Sequence, residues 1–315
     1  MYQIQLTNAA FEGRNSVYLL GADDPDAPTT LVDAGVDRPA VEAELRDALD
    51  ARGVSLADVD QVLLTHWHSD HAGLAGTIQD ESGATVYAHE ADAPLVAQED
   101  GAVDAVEERQ RDAIADWGTP EDKQRELFDY RELHAEIRGR PVDVTPVADG
   151  DTVSLGDVDA EVVHLPGHAA GLVAYVFERD GRREAFVGDA VLPKYTPNVG
   201  GADVRVDRPL AQYLDSLDRV QALDLDRAWP GHRGAIFAPS ERAADIATHH
   251  DERTERVLDA VDRLAPATPW AVSADLFGSL ARIHILHGPG EAYAHLDHLV
   301  HEGVLERTDD GYVRA

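Results

Sequence analysis

The stretch Thr65-His66-Trp67-His68-Ser69-Asp70-His71-Ala72-Gly73 places three histidines and one carboxylate within six residues. It follows Val62-Leu63-Leu64, an apolar run that reads as a buried strand. It leads into Ala72-Gly73-Leu74-Ala75-Gly76, which reads as a loop turning into a helix. Side chains alternate between faces on an extended backbone, so His66, His68 and Asp70 are expected to point one way. His71 breaks the alternation and serves a neighbouring point in space. Neutral imidazoles with a carboxylate suit zinc, and a donor set split this way suggests two metals side by side.

More donors stand where other strands should end. His168 follows Val162-Val163-His164-Leu165 and a Pro166-Gly167 turn, and Asp189 closes Ala185-Phe186-Val187-Gly188. His232 follows Arg227-Ala228-Trp229 and a second Pro-Gly pair, Pro230-Gly231. Glycine at such points leaves room for backbone close to a metal. Each of these segments is a weak signal alone; a donor at four successive strand ends is a strong one.

The order HxHxDH … H … D … H resembles the metallo-β-lactamase-fold hydrolases, over about residues 10–240. The resemblance implies that His66, His68 and His168 hold one metal, that Asp70, His71 and His232 hold a second, and that Asp189 bridges them. Asp33, in Thr30-Leu31-Val32-Asp33-Ala34-Gly35, matches an early strand-end Asp that orients ligands in this family. A turn-forming Asp before glycine is the other reading. The chain has no cysteine, so the Cys ligand of the true β-lactamases is missing and antibiotic hydrolysis is not expected. A bridging Asp189 resembles the glyoxalase II, lactonase and ribonuclease branches, the last being lactamase-β-2-like. His68 stands where the di-iron flavoproteins carry Glu, which favours two zinc ions over iron or manganese.

The implied chemistry is a hydroxide shared by two zinc ions about 3.5–4 Å apart, attacking an electrophilic carbonyl or phosphorus. Asp70 is the expected catalytic proton carrier, and no Ser-His-Asp triad is needed. Lys194 and Tyr195, in the loop after Asp189, are the candidate substrate-binding residues; His134 is not assigned to the site. The substrate is expected to be a small thioester, ester or lactone. The alternatives are a metal-dependent ribonuclease, a mono-iron persulfide dioxygenase and a non-catalytic metal-binding regulatory protein.

Acids outnumber Lys and Arg by 60 to 27, for a net charge of −33 and a pI near 4.6. Lysine occurs only at Lys123 and Lys194. The acids are scattered through periodic segments rather than gathered in a tail, which argues for a folded acidic surface adapted to high salt, as in extreme halophiles. No apolar leader or membrane-length run is visible, so a cytoplasmic location and no membrane partner are expected.

Strand patterns at Tyr2–Leu6, Asn15–Leu20 and Thr29–Val32 precede a helix marked by Val41, Leu45 and Leu49. Charged helical periodicity over about residues 91–143 reads as an insertion between strands, and in this fold it lies over the active-site mouth. Strands return from Val144, with a hairpin turn at Asp180-Gly181. The pattern predicts an α/β fold, an αββα sandwich spanning residues 1–245.

Residues 251–315 read as a separate winged-helix-like unit, with helices at 251–264, 270–280 and 290–302 and a ribbon turning at Asp309-Asp310-Gly311. Twelve acids against six arginines there make nucleic acid an unsuitable partner, since phosphate contacts require cations. Docking on the main domain or on a second copy, as a homodimer, fits better. His295, His298 and His301 read as packing or surface residues.

Overall fold

Six strands form the first sheet of the computed structural model, which describes residues 1–7 and 13–315. They are β1 (Tyr2–Thr7), β2 (Arg14–Leu20), β3 (Thr30–Val32), β4 (Gln61–Leu63), β5 (Thr85–His89) and β6 (Val144–Val147), side by side in chain order. The first three pair antiparallel and the rest parallel. Parallel neighbours need crossovers. These are α1 (Pro39–Asp50), then α2 (Ser69–Ala72) with α3 (Ala75–Ser82). A long excursion between β5 and β6 carries α4 (Ala93–Val96), α5 (Ala102–Asp116) and α6 (Glu121–Leu133), the insertion expected from its charged periodicity.

The second sheet is an antiparallel meander of β7 (Thr152–Ser154), β8 (Asp159–His164), β9 (Val173–Arg179) and β10 (Arg182–Gly188). Asp180 (φ 54°) and Gly181 (φ 71°) make the tight turn between the last two, a backbone shape that Asp-Gly tolerates. After α7 (Pro209–Ala222), β11 (Arg227–Pro230) joins β10 in parallel. The two sheets face each other across a core that includes Tyr18, Leu63, Val162, Tyr175 and Phe186. Outside the first sheet pack α1 and α3, through Leu45, Leu49 and Ile78. Outside the second packs α7, through Leu210, Tyr213 and Leu217. Helix, sheet, sheet, helix is the resulting layering, and it aims the strand ends carrying the polar donors at one edge.

The C-terminal region comprises α8 (Pro239–Leu264), α9 (Pro269–Phe277), α10 (His284–His301) and the ribbon β12 (Leu305–Thr308) with β13 (Gly311–Arg314). α8 is one continuous helix across the residues where two units were expected to meet. Its Ala243 and Ile246 join the core of the second sheet, while Val257, Ala260 and Val261 join a separate core with Leu296, Leu299 and Tyr312. α10 begins six residues before the expected 290, because Gly288-Pro289-Gly290 lies inside it. The glycine serves packing: a Cβ on Gly290 would come 2.2 Å from Gly201 Cα. Ile114, Trp117 and Leu127 of the insertion share a cluster with Leu280, Ile285 and Leu286, so insertion and C-terminal region make one continuous cover. Among the described residues, no helix is long and apolar enough to cross a membrane.

Candidate metal centre

β4 stops at Leu63, and His66 and His68 lie on the extended segment beyond it. The alternation expected to continue through Asp70 ends at Ser69, where α2 begins. Helical rotation then carries Asp70 away from the face of His66 and His68 and sets it beside His71, with Asp70 Oδ2 3.7 Å from His71 Nε2. Four further loops close on this segment. His168 lies beyond β8, Asp189 ends β10, His232 follows β11, and Asp33 follows β3.

These residues form three overlapping groups whose ligating atoms lie within 4.8 Å of one another: His66, His68 and His168; His66, His71 and Asp189; Asp70, His71 and His232. Asp189 sits centrally. Its Oδ2 is 3.7 Å from His168 Nε2 and 3.3 Å from His232 Nε2, and its Oδ1 is 3.7 Å from His71 Nε2. Gly231 leaves the room this requires, since a Cβ there would meet Asp189 Oδ1 at 2.5 Å and His71 Cε1 at 2.4 Å.

The hydrogen bonds decide which imidazole nitrogens carry protons. His68 Nε2 is 3.2 Å from the Ala202 carbonyl and His168 Nδ1 is 2.8 Å from the Asn198 carbonyl. A carbonyl only accepts, so both of these nitrogens donate. The remaining lone pairs, His68 Nδ1 and His168 Nε2, then face each other across 3.1 Å. A shared proton does not explain that contact, because burial and the neighbouring His168 push His68 down to about 4. Two nitrogens on one tetrahedral zinc lie about 3.3 Å apart, so a cation between them does.

His71 Nδ1 donates to Asp33 Oδ2 at 2.8 Å, and Thr65 binds the same carboxylate through its backbone N–H and its hydroxyl. His66 Nδ1 in turn donates to the Thr65 hydroxyl at 3.1 Å. His66 Nε2, His71 Nε2 and Asp189 Oδ1 are left buried without a hydrogen-bond partner. Buried polar atoms are nearly always paired, so three orphans aimed at one point fit a cation.

The electrostatics agree. Burial alone would lower the His71 pKa, but Asp70, Asp33 and Asp189 outweigh it and push the imidazole up to about 10. Burial likewise opposes ionisation of Asp189, yet His232, His71 and His168 hold its carboxyl well below the usual range. The donor set is that of a divalent-metal centre.

A model of the metallo-beta-lactamase superfamily matches residues 10–232. The chain belongs to that superfamily. A relative from Bacillus subtilis, the probable metallo-hydrolase YqjP, is 29% identical over 303 residues, covering 94% of this chain and 90% of its own. The hydroxyacylglutathione hydrolase of Erythrobacter litoralis is 28% identical over 243 residues, covering 76% of this chain and 70% of its own. Among solved structures, a metallo-beta-lactamase family protein from Thermus thermophilus superimposes with a TM-score of 0.83 at 29% identity. That match covers 100% of this chain and 98% of the other, so the C-terminal region belongs to the shared architecture.

As in any member of this superfamily, the cluster is only as good as what holds it, and those residues were not evident from the sequence. Asn15 Nδ2 donates to Asp70 Oδ2 at 3.1 Å. The backbone N–H of Trp67 and the indole N–H donate to Asp92 and Asp203, two buried carboxylates that share Arg205. Asp203 also accepts from the Ala170 N–H, so one carboxylate braces both the His66–His68 and the His168 segments. Glu291 of α10 accepts from Asn198 Nδ2 at 2.9 Å and Val199 N at 3.0 Å, fixing the loop whose carbonyl orients His168. These residues lie far apart in the chain and have no spacing to read.

A cavity of about 570 Å³ opens over the cluster, within the range that suits a small molecule. Its lining includes Asp70, Asp189 and Tyr195, and also His134, which sequence reading left out. Lys194 is exposed and is not part of that lining, its ammonium lying 5.1 Å from the centre of the Tyr195 ring, which is. A further group, His250, Glu291 and His295, is also close enough to bind an ion. There Arg253 donates to Glu291, the two imidazoles meet at 3.3 Å, and His295 is fully buried. His298 is partly buried and His301 is exposed.

Proposed function

We propose that this protein is a two-zinc hydrolase of a small thioester, ester or lactone. The observation that supports it best is the convergence of seven donors, five of them lining a cavity of small-molecule size, with His66 Nε2, His71 Nε2 and Asp189 Oδ1 orphaned among them. In this reading His66, His68 and His168 hold one ion, Asp70, His71 and His232 the other, and Asp189 serves both. Bound there, such a pair supplies a water acidified to near-neutral pKa and a Lewis acid for the substrate oxygen. Asp33 and Thr65 keep the protons of His71 and His66 on the far side of each ring, so the facing nitrogens stay available. Asp70 borders the cavity and is the group placed to pass a proton to the leaving atom. Trp67, Tyr195 and Leu286 line the chamber above the cluster.

The choice of thioester leans on the relative named as a hydroxyacylglutathione hydrolase, whose substrate is an acylated thiol. The C-terminal region, three helices and a ribbon, is winged-helix-like in outline. We read it as a wall of the site, because its α10 reaches the cavity and its charge opposes nucleic acid. The test is a panel of acyl thioesters, lactones, aryl esters and single-stranded RNA, assayed with zinc-loaded protein, chelated protein and Asp189→Ala. Turnover of a carbonyl substrate that vanishes in the last two is the expected outcome. Cleavage of RNA alone, or turnover indifferent to Asp189, contradicts the proposal.

A further inference from the structure

A chain with 60 acidic residues puts positive charge over its metal cluster. Arg131 on α6 and Arg138 at the end of the turn Ala135–Arg138 both line the cavity. Among the described side chains, the only carboxylates in that lining are Asp70 and Asp189, which belong to the cluster. Arg138 Nη2 is 3.1 Å from Glu107 Oε1, and Arg111 Nη2 is 3.4 Å from Glu107 Oε2. Arg131 donates to the side-chain oxygen of Gln110 and has no ion-pair partner among the described residues. Two guanidiniums therefore share Glu107, and the third, Arg131, rests on a neutral side chain.

Holding a guanidinium away from water without a counter-charge is costly. Burial, helped by Arg138 and Arg111 and opposed by Glu107, lowers the pKa of Arg131. Gln110, a neutral acceptor, steadies the group without cancelling its charge. Ile114, Trp117 and Leu127 join the insertion to the C-terminal region through apolar contacts in which Arg131 takes no part. The charge lines the cavity that opens over the cluster.

We propose that Arg131, with Arg138 beside it, binds an anionic group of the substrate, a carboxylate or a phosphate, while the bond to be cleaved lies over the His and Asp cluster. This rests on reading that cluster as a hydrolytic centre. The planar guanidinium fork matches either anion in two-point geometry. The substrate is thus an acyl compound with a negative tail, and the insertion, rather than the loop after Asp189, selects it.

The experiment uses full-length, zinc-loaded protein at constant ionic strength. Two thioesters are compared that differ only in ending with a carboxylate or its carboxamide, and a third ends in a phosphate monoester. Wild type is expected to favour an anionic tail over the carboxamide by about tenfold or more in kcat/KM. Which tail wins, carboxylate or phosphate, names the source of the charge. Arg131→Met is expected to bring the ratio close to one, while Arg131→Lys retains part of it. A wild-type ratio near one, or a ratio unchanged in Arg131→Met, overturns the proposal.

Calorimetry with succinate and inorganic phosphate gives a readout independent of turnover. Binding weakened about tenfold in Arg131→Met supports the anion site even if no thioester is hydrolysed, in which case only the hydrolase reading fails. Equal binding by wild type and variant means that the metal cluster alone holds the anion, and overturns the proposal. Should Arg131→Met not fold, Arg138→Met takes its place in both assays with the same expected direction.

Discussion

The floor of the cavity takes its donors from the ends of β4, β8, β10 and β11, whereas the roof comes from α6, the turn after it and the start of α10. On the floor four histidines are pinned by a second residue: His71 by Asp33, His66 by Thr65, His68 and His168 by carbonyls of the 198–202 loop. On the roof, Arg131 has a single neutral partner, Gln110, among the described residues. The difference follows from what each part must do. A metal cluster tolerates little displacement, so its ligands sit on a rigid frame. A surface that selects among substrates needs only charge and shape in the right place, and helices in an insertion supply both.

The comparison breaks most visibly at Asp189. Asp189→Ala is expected to lower turnover at least about 10³-fold and to lose bound metal, while circular dichroism stays close to wild type. Retained metal and activity would remove the floor from the account. The brace beneath the floor is the next test. Arg205 stands between the buried carboxylates of Asp92 and Asp203. Arg205→Met leaves two buried charges uncompensated and is expected to cost about 3–5 kcal/mol in urea unfolding. A loss under about 1 kcal/mol would mean that the triad is not a brace.

Asp33→Asn and Glu291→Gln sharpen the comparison, because one lies within the floor and the other reaches it from the roof. Both act on the orientation of a histidine, and each is expected to weaken zinc binding about 10- to 100-fold in competition with a chelating dye. An effect of Asp33→Asn alone would show that α10 covers the site without positioning it. A separate effect concerns pH. Burial drives His250, which packs under α10, down to about 3, below its unfolded value near 6.5. Such a group binds its proton in the unfolded chain first, so the stability it contributes is full above about pH 6.5 and is lost as pH falls towards 3. The slope for one such histidine is at most about 1.4 kcal/mol per pH unit. Replacing His250 with Gln should flatten the measured pH–stability curve of the metal-free protein in that window; an unchanged slope would place the titration elsewhere.

Much of the floor was legible because its donors cluster at strand ends, where apolar runs stop at His or Asp beside glycine. The α1 face and the Asp180-Gly181 hairpin were legible for similar reasons of period and turn chemistry. The expected face for Asp70 failed because a strand alternates only while it stays extended, and the chain turns helical at Ser69. The start of α10 was hidden by Gly288-Pro289-Gly290, residues that ordinarily end helices but here allow close approach to Gly200-Gly201. Lys194 was chosen for nearness in sequence to Asp189, which says nothing about the direction of a side chain. Arg131, Arg205 and Glu291 act through neighbours about 20 to 110 residues away in the chain, and no local pattern marks them.

The central claim is that the floor holds two ions, and metal content tests it most directly. Protein purified in high salt without added metal would be analysed by plasma mass spectrometry, alongside Asp189→Ala. Two zinc per chain, lost in the variant, is the predicted result. A single metal ion per chain, or two that persist without Asp189, would contradict the account.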